Sequence, residues 1–311
     1  MAYGGIQVVG PMQINVGNVS PIIIDQVEGS LLNLQPRLAL KGTDGDIDPS
    51  YVAFESFAPM FSGSTDKLKT MLANVGINGY IPTNNGVAVY FRQVDLTTGL
   101  RKSGANHDSA TFASSLIVPR SLRVTQGEQG AKLNFDIIGV NAAGTTNPVV
   151  YATGIALPAL AGVSELFTMG PIKIGGVNYE GMQSYEIDFG IKLAVKSGTG
   201  NVYPQIVYIE ERRPKITIKT DDSSLLNALT VTGTSLAAGT TVLYLRSFAA
   251  SGIRTADGTA AHISFTMTKG LAYATQKAAN HPGEYATSIV LEPVYDQTNA
   301  IIQINTATAI T

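Results

Sequence analysis

Residues 37–59, RLALKGTDGDIDPSYVAFESFAP, align without a gap on residues 192–214, KLAVKSGTGNVYPQIVYIEERRP. Eight of the 23 positions are identical: Leu38/Leu193, Ala39/Ala194, Lys41/Lys196, Gly45/Gly200, Pro49/Pro204, Val52/Val207, Glu55/Glu210 and Pro59/Pro214. Roughly one or two matches would arise by chance at average composition. The correspondence extends in both directions. GPMQI at 10–14 faces GPIKI at 170–174, and STDKLKTML at 64–72 faces DDSSLLNAL at 221–229. VAVYFRQVDLTTGLR at 87–101 faces TVLYLRSFAASGIR at 241–254, matching Tyr90 with Tyr244, Arg92 with Arg246, Gly99 with Gly252 and Arg101 with Arg254. His107 faces His262, and Asn147 faces Asn299. The order never changes, so the sequence predicts one folding unit used twice.

The units are expected at residues 1–155 and 170–311, joined by a linker over 156–169. The apolar stretch 149–168 is broken by Gly154, Pro158 and Gly162 and contains Glu165; it reads as that linker and makes a poor membrane span. Strict apolar–polar alternation marks 185–196, 205–210, 215–219, 241–248, 261–267 and 287–295 as half-buried antiparallel strands. Pro49 and Pro204 suit strand starts, and Pro59 and Pro214 suit an edge, bulge or bend, because proline cannot donate to a ladder. One helix per unit is expected. The first, over 65–75, is capped by Ser64 or Asp66; the second starts after Asp221 or Asp222. Each offers only a leucine pair, Leu68/Leu72 or Leu225/Leu229, enough to lie on a sheet. The fold class is therefore mainly β: two tandem, homologous β-sandwich or barrel domains, each with one flanking α-helix.

Charged residues make up only 14% of the chain and the net charge is −2, so no strong basic field exists to hold nucleic acid. The weakly charged surface suits burial in an assembly. With no cysteine, disulfides, thiolate metal sites and cysteine nucleophiles are excluded. The N-terminus MAYGGIQVVGPMQINVG does not read as a signal peptide.

Three features invite a chemical reading. His107 and His262 occupy matching positions, but only His107 has an acid, Asp108, beside it. That favours imidazoles hydrogen-bonded at strand starts over a catalytic or metal site. DGDID places Asp44, Asp46 and Asp48 at alternate positions but lacks the rest of a calcium loop, and a turn before a strand is the simpler reading. EERRPK gathers Glu210, Glu211, Arg212, Arg213 and Lys215, whose neighbours point to opposite faces of a strand and cannot form a dyad by adjacency. A charged edge that blocks stray pairing and a subunit contact made through arginine remain open. No nucleotide-binding, hydrolase or metalloprotease motif occurs, so neither an enzyme, a cofactor nor a metal is expected.

YEIDFGIKLAVKSG, YPQIVYIEERRPKITIKTDDSSLLNAL, VLYLRSF and GTAAHISFTMTKGL, in this order, resemble the tail tube proteins of long-tailed bacteriophages, most clearly over 170–300. The first half joins the resemblance through its likeness to the second, although NHDSATFASSLIVPRSL departs from the AHISFTMTKGL pattern. The duplication is similar to tube proteins that carry two tube domains in one chain. The resemblance implies a virion structural protein, assembled in the bacterial host cytoplasm, that polymerises into stacked rings forming a conduit for genome ejection. Three chains would give a pseudo-sixfold ring. Implied partners are further copies of itself, the tape measure, tail terminator and distal tail proteins, and double-stranded DNA in transient passage, with no membrane segment. The lumen would be polar, neutral or acidic, and loops 73–86 and 231–240 are candidates for reaching the next ring. Candidate subunit contacts are Glu55, Arg92, Glu210, Arg212, Arg213 and Arg246, with Arg212 and Arg213 foremost because the first unit has no counterpart for them. Other β-rich virion components, such as a capsid or sheath protein, and a carbohydrate-binding adhesin module are the alternatives; the absence of tryptophan weakens the last.

Overall fold

The alternating segments form strands, and the chain is mainly β. The computed structural model describes residues 12–16, 22–32, 37–40, 52–55, 58–74, 86–126, 130–159, 166–198, 201–221, 225, 240–249, 251–280 and 284–311. The first half contains β1 (Met12–Val16), β2 (Ile22–Leu32), β3 (Arg37–Leu40), β4 (Val52–Glu55), β5 (Met60–Thr65), α1 (Leu68–Asn74), β6 (Val87–Phe91), β7 (His107–Phe112), β8 (Ser115–Thr125), β9 (Lys132–Gly139) and β10 (Val149–Ile155). The second contains β11 (Leu166–Ile174), β12 (Val177–Tyr179), β13 (Met182–Asp188), β14 (Ile191–Lys196), β15 (Ile206–Arg212), β16 (Lys215–Thr220), β17 (Thr241–Phe248), β18 (His262–Met267), β19 (Gly270–Asn280), β20 (Glu284–Pro293) and β21 (Gln303–Thr308).

A 12-stranded antiparallel sheet runs β10-β7-β6-β1-β2-β5-β9-β8-β13-β16-β20-β19 through both halves. A five-stranded sheet, β12-β11-β17-β18-β21, and the ribbons β14-β15 and β3-β4 complete the architecture. Strand β2 serves two neighbours in turn, pairing β1 through Ile22–Val27 and β5 through Val27–Leu32. The core lies between layers. Phe61, Phe112, Phe135, Leu122 and Leu133 are fully buried in the first half, as are Tyr185, Ile216, Ile218, Phe265 and Ile289 in the second. Each contributes about 1.5–3 kcal/mol by leaving water. The buried Tyr185 hydroxyl crosses from the long sheet to donate to the Tyr244 carbonyl of the smaller one, at 3.1 Å.

Two sequence expectations need correction. The stretch 149–168 runs into strands at both ends: β10 occupies 149–155, β11 begins at Leu166, and only 156–159 among its described residues lie outside strands. A glycine with φ +67 at Gly154 was compatible with a strand after all, at a register shift opposite β7. The run 185–196 is two strands, because Gly190 (φ +55) turns the chain out of the long sheet into the β14-β15 ribbon. At the start of α1, Thr65 Oγ1 accepts the Lys67 N–H at 3.1 Å, and Leu68, Met71 and Leu72 form the buried stripe. Of the second helical segment only Leu225, helical and buried, is among the described residues. Pro214 lies between β15 and β16, and Pro204 just before β15.

Candidate functional sites at sheet edges and turns

The two matched histidines are buried and hydrogen-bonded to backbone at strand starts. His107 opens β7 and His262 opens β18, each at most 1% exposed. Nδ1 of His107 accepts the Gln93 N–H, and Nδ1 of His262 accepts the Ser247 N–H, both at 3.0 Å. With Nδ1 accepting, His262 Nε2 donates to the Ala256 carbonyl at 3.0 Å, so both ring nitrogens are hydrogen-bonded. Burial first, then the positive charge of Arg101, holds His107 below its ordinary pKa of 6.5. A depressed imidazole is neutral in the fold and protonates more readily in the unfolded chain. Its stabilising contribution is therefore complete above about pH 6.5 and declines as pH falls below that value. Urea midpoints between pH 8 and about pH 5 should fall for the wild type and flatten in His107→Gln; equal slopes would remove His107 from the acid response.

The two matched arginines are also occupied inside the chain. Arg92 is buried. The Arg246 side chain, 12% exposed, clasps Glu180 at 2.6 and 3.0 Å and reaches Asp257 at 3.4 Å, while Arg254 holds Asp257 at 2.7 Å. Glu55 ends β4, opposite Arg37. Glu210 pairs with Lys192 at 3.0 Å, and Arg213 with Glu211 at 2.5 Å, on the exposed ribbon. Arg212 is exposed, and no ion pair is formed by it among the described residues. The DGDID segment and most of both loops suggested as ring bridges lie outside the described residues.

Sequence reasoning missed the residues that join the halves. Strand β8 pairs β13 from Thr125↔Ser184 to Ser121↔Asp188. Arg120 Nε donates to Asp136 at 2.6 Å while its Nη1 donates to the Ile191 carbonyl at 2.7 Å, tying the first half to the start of β14. The β14-β15 connection lies on the β9-β10 turn: Asn141 N–H donates to the Pro204 carbonyl and Tyr203 N–H to the Gly144 carbonyl, both at 2.9 Å. A side chain on Gly144 would meet Asn201 at 2.6 Å, so the approach requires glycine there. The only sequence signal was Asn141-Ala-Ala-Gly144, an Asx turn that also shapes Asp296-Gln-Thr-Asn299.

The far edges differ from this occupied junction. Strand β19 has only β20 as a partner, and the side of Glu28–Leu32 in β2 away from β5 is unpaired among the described residues. The exposed face of the long sheet interleaves charges. Arg123 lies beside Glu186 and Asp188 beside Lys215, while Ser62 and Arg120 both donate to the buried Asp136 at 2.6 Å. Among the described residues no helix is long and apolar enough to cross a membrane, and no group of three or more His, Cys, Asp or Glu side chains could hold a metal. No protein-family model matches the chain, and no curated protein matches it.

Proposed function

We propose that this chain is a self-assembling structural protein that closes into head-to-tail rings and stacks them into a tube, the role of a bacteriophage tail tube. One observation carries the reading. Along the long sheet, β2-β5-β9-β8 is followed by β13-β16-β20-β19, and the repeat in the sequence aligns β5 with β16. Strands β8 and β19 match in their shifts as well, between Pro119/Ser121 and between Ala274/Gln276. One four-stranded order thus occurs twice, joined edge to edge by β8 and β13. At the two ends of this eight-stranded run, the side of β19 away from β20 and the side of Glu28–Leu32 away from β5 are unpaired among the described residues, although β1 pairs the earlier part of β2. A sheet with such ends adds copies until its curvature closes, which removes edges that otherwise template uncontrolled pairing.

Transposing the internal register sets the contact between copies. Ser121↔Asp188 becomes Gln276↔Leu32, and Arg123↔Glu186 becomes Ala278↔Ser30. The interleaved charges on the exposed face support a conduit that nucleic acid crosses without retention, since tight binding needs clustered, uncompensated cations.

The natural chain contains no cysteine, so introduced thiols report without background. Ala278→Cys combined with Ser30→Cys should give covalent species that stop at three chains, with rings or uniform hollow tubes in negative-stain images. Six-chain closure would reject the pseudo-sixfold ring. Absence of any interchain bond, with monomers at every concentration and salt, would sink the tube reading.

A further inference from the structure

The contact that seats one ribbon on the neighbouring turn has a counterpart in the second half that no described segment fills. In the first half, the β9-β10 turn begins with Val140 N–H donating to Ser114 O at 3.0 Å. It then receives the β14-β15 connection through Asn141 and Gly144, and Gln205 Nε2 adds a bond to Ala142 O at 2.8 Å. The β20-β21 turn (294–302) spans the same interval between matching strands, and Val294 N–H donates to Lys269 O at 3.0 Å. The Asp296 carboxylate accepts four hydrogen bonds, from the Thr298 and Asn299 N–H groups, the Asn299 amide and the Thr268 hydroxyl, which hold it well below the usual carboxylate range. The turn is therefore built in advance.

No described segment of the chain lies on this second turn as the β14-β15 connection lies on the first. Val294 and Tyr295 are 42% and 58% exposed. Beside them opens a mostly apolar cavity of about 400 Å³, lined by Phe189, Ile191, Pro214, Ile302 and Ile304, with Arg212 in its wall.

We propose that this surface is the receptor for residues 41–51 of a second copy of the chain. That segment joins β3 to β4, as the docked one joins β14 to β15, and aligns with it through Lys41/Lys196, Gly45/Gly200 and Pro49/Pro204. Pro204 is buried in the internal contact, and Pro49 brings the same apolar ring to the cavity. Where the docked segment has Thr199, Asn201 and Tyr203, the other carries Asp44, Asp46 and Asp48. The receiving side departs from the repeat in the complementary sense, with Arg212 where the first half has Phe57. Acid meets cation at one contact, so both departures have one explanation. Such a pair discriminates partners and directs approach more than it adds affinity. It makes the contact between chains unlike the one within a chain, which favours joining second half to first half of the next copy. The inference rests on the head-to-tail reading, which supplies the neighbour and its direction.

Asp48 and Tyr295 correspond to Tyr203 and Asn141, which adjoin inside the chain. With a short bis-maleimide, Asp48→Cys plus Tyr295→Cys should join neighbouring chains, as Tyr203→Cys plus Asn141→Cys links within one. Arg212→Glu should lower the association constant in sedimentation by about tenfold or more, and adding Asp46→Lys and Asp48→Lys should restore part of it. If the Ala278/Ser30 cysteine pair joins chains but the Asp48/Tyr295 pair does not, the docking is overturned and the head-to-tail sheet stands. If neither joins, the ring reading fails and takes this proposal with it. An Asp48–Tyr295 link within one chain, or wild-type association by Arg212→Glu, also overturns it.

Discussion

Gly190→Ala is expected to lower the free energy of unfolding by about 3 kcal/mol or more, read as a lower urea midpoint at unchanged slope. Gly190 has φ +55, where a β-carbon costs an L-residue about 1–2 kcal/mol by itself. The larger part comes from overlap, since the new carbon would sit on the carbonyl group of Arg213. That carbonyl belongs to backbone held from both sides. Arg213 N–H donates to Gly190 O at 3.0 Å, and Pro214 beyond it is buried. Gly176 separates the two costs, because it has φ +89 with open space where its β-carbon would lie. Gly176→Ala should therefore cost only about 1 kcal/mol. If both variants lose the same small amount, the turn yields easily and does not set the exit from β13. The expected difference has a second reading in assembly. The turn aims the ribbon at Asn141 and Gly144, so a surviving Gly190→Ala chain should associate poorly.

What was legible in the sequence was local. The alternation in TVLYLRSF and KITIK appears as β17 and β16, with buried residues at every second position through KITIK. The histidine reading also depended on local facts, a polar ring opening a strand with no acid beside one of its two copies. Pairing between distant strands left no such mark. Nothing in SLRVT or YEID states that Arg123 lies beside Glu186, because alternation sets which face a side chain takes and not which strand lies next. Arg120 was passed over for the same reason: its partners, Asp136 and the Ile191 carbonyl, are contributed by other elements. The strand at 149–155 was lost to its glycine and its exposed, edge-like composition, whose burial alternates weakly. Of the six residues suggested as subunit contacts, Arg92 and Arg246 stand in the sequence as a matched pair of the repeat. Repetition cannot distinguish a scaffold cation from an interface one.

Arg246→Met tests that distinction. The substitution keeps much of the unbranched stem while removing the charge, and should cost about 2 kcal/mol near neutral pH. A fully buried pair would lose more, but Glu180 is 61% and Asp257 35% exposed, so both carboxylates can rehydrate. The pH dependence identifies the mechanism. Arg254 first, and then Arg246, hold the Asp257 carboxyl below its ordinary value of 3.8. A depressed carboxyl contributes stability that is present above the unfolded value and lost as pH falls through the folded one. Part of that contribution is absent in Arg246→Met, so the gap between wild type and variant should narrow as pH drops below about 4. A gap that stays constant to strong acid would mean that packing of the stem, and not charge, is what Arg246 supplies. Association of the folded variant should match wild type, because the guanidinium is already neutralised within its own chain. Loss of assembly at unchanged stability would instead place Arg246 in the contact between copies.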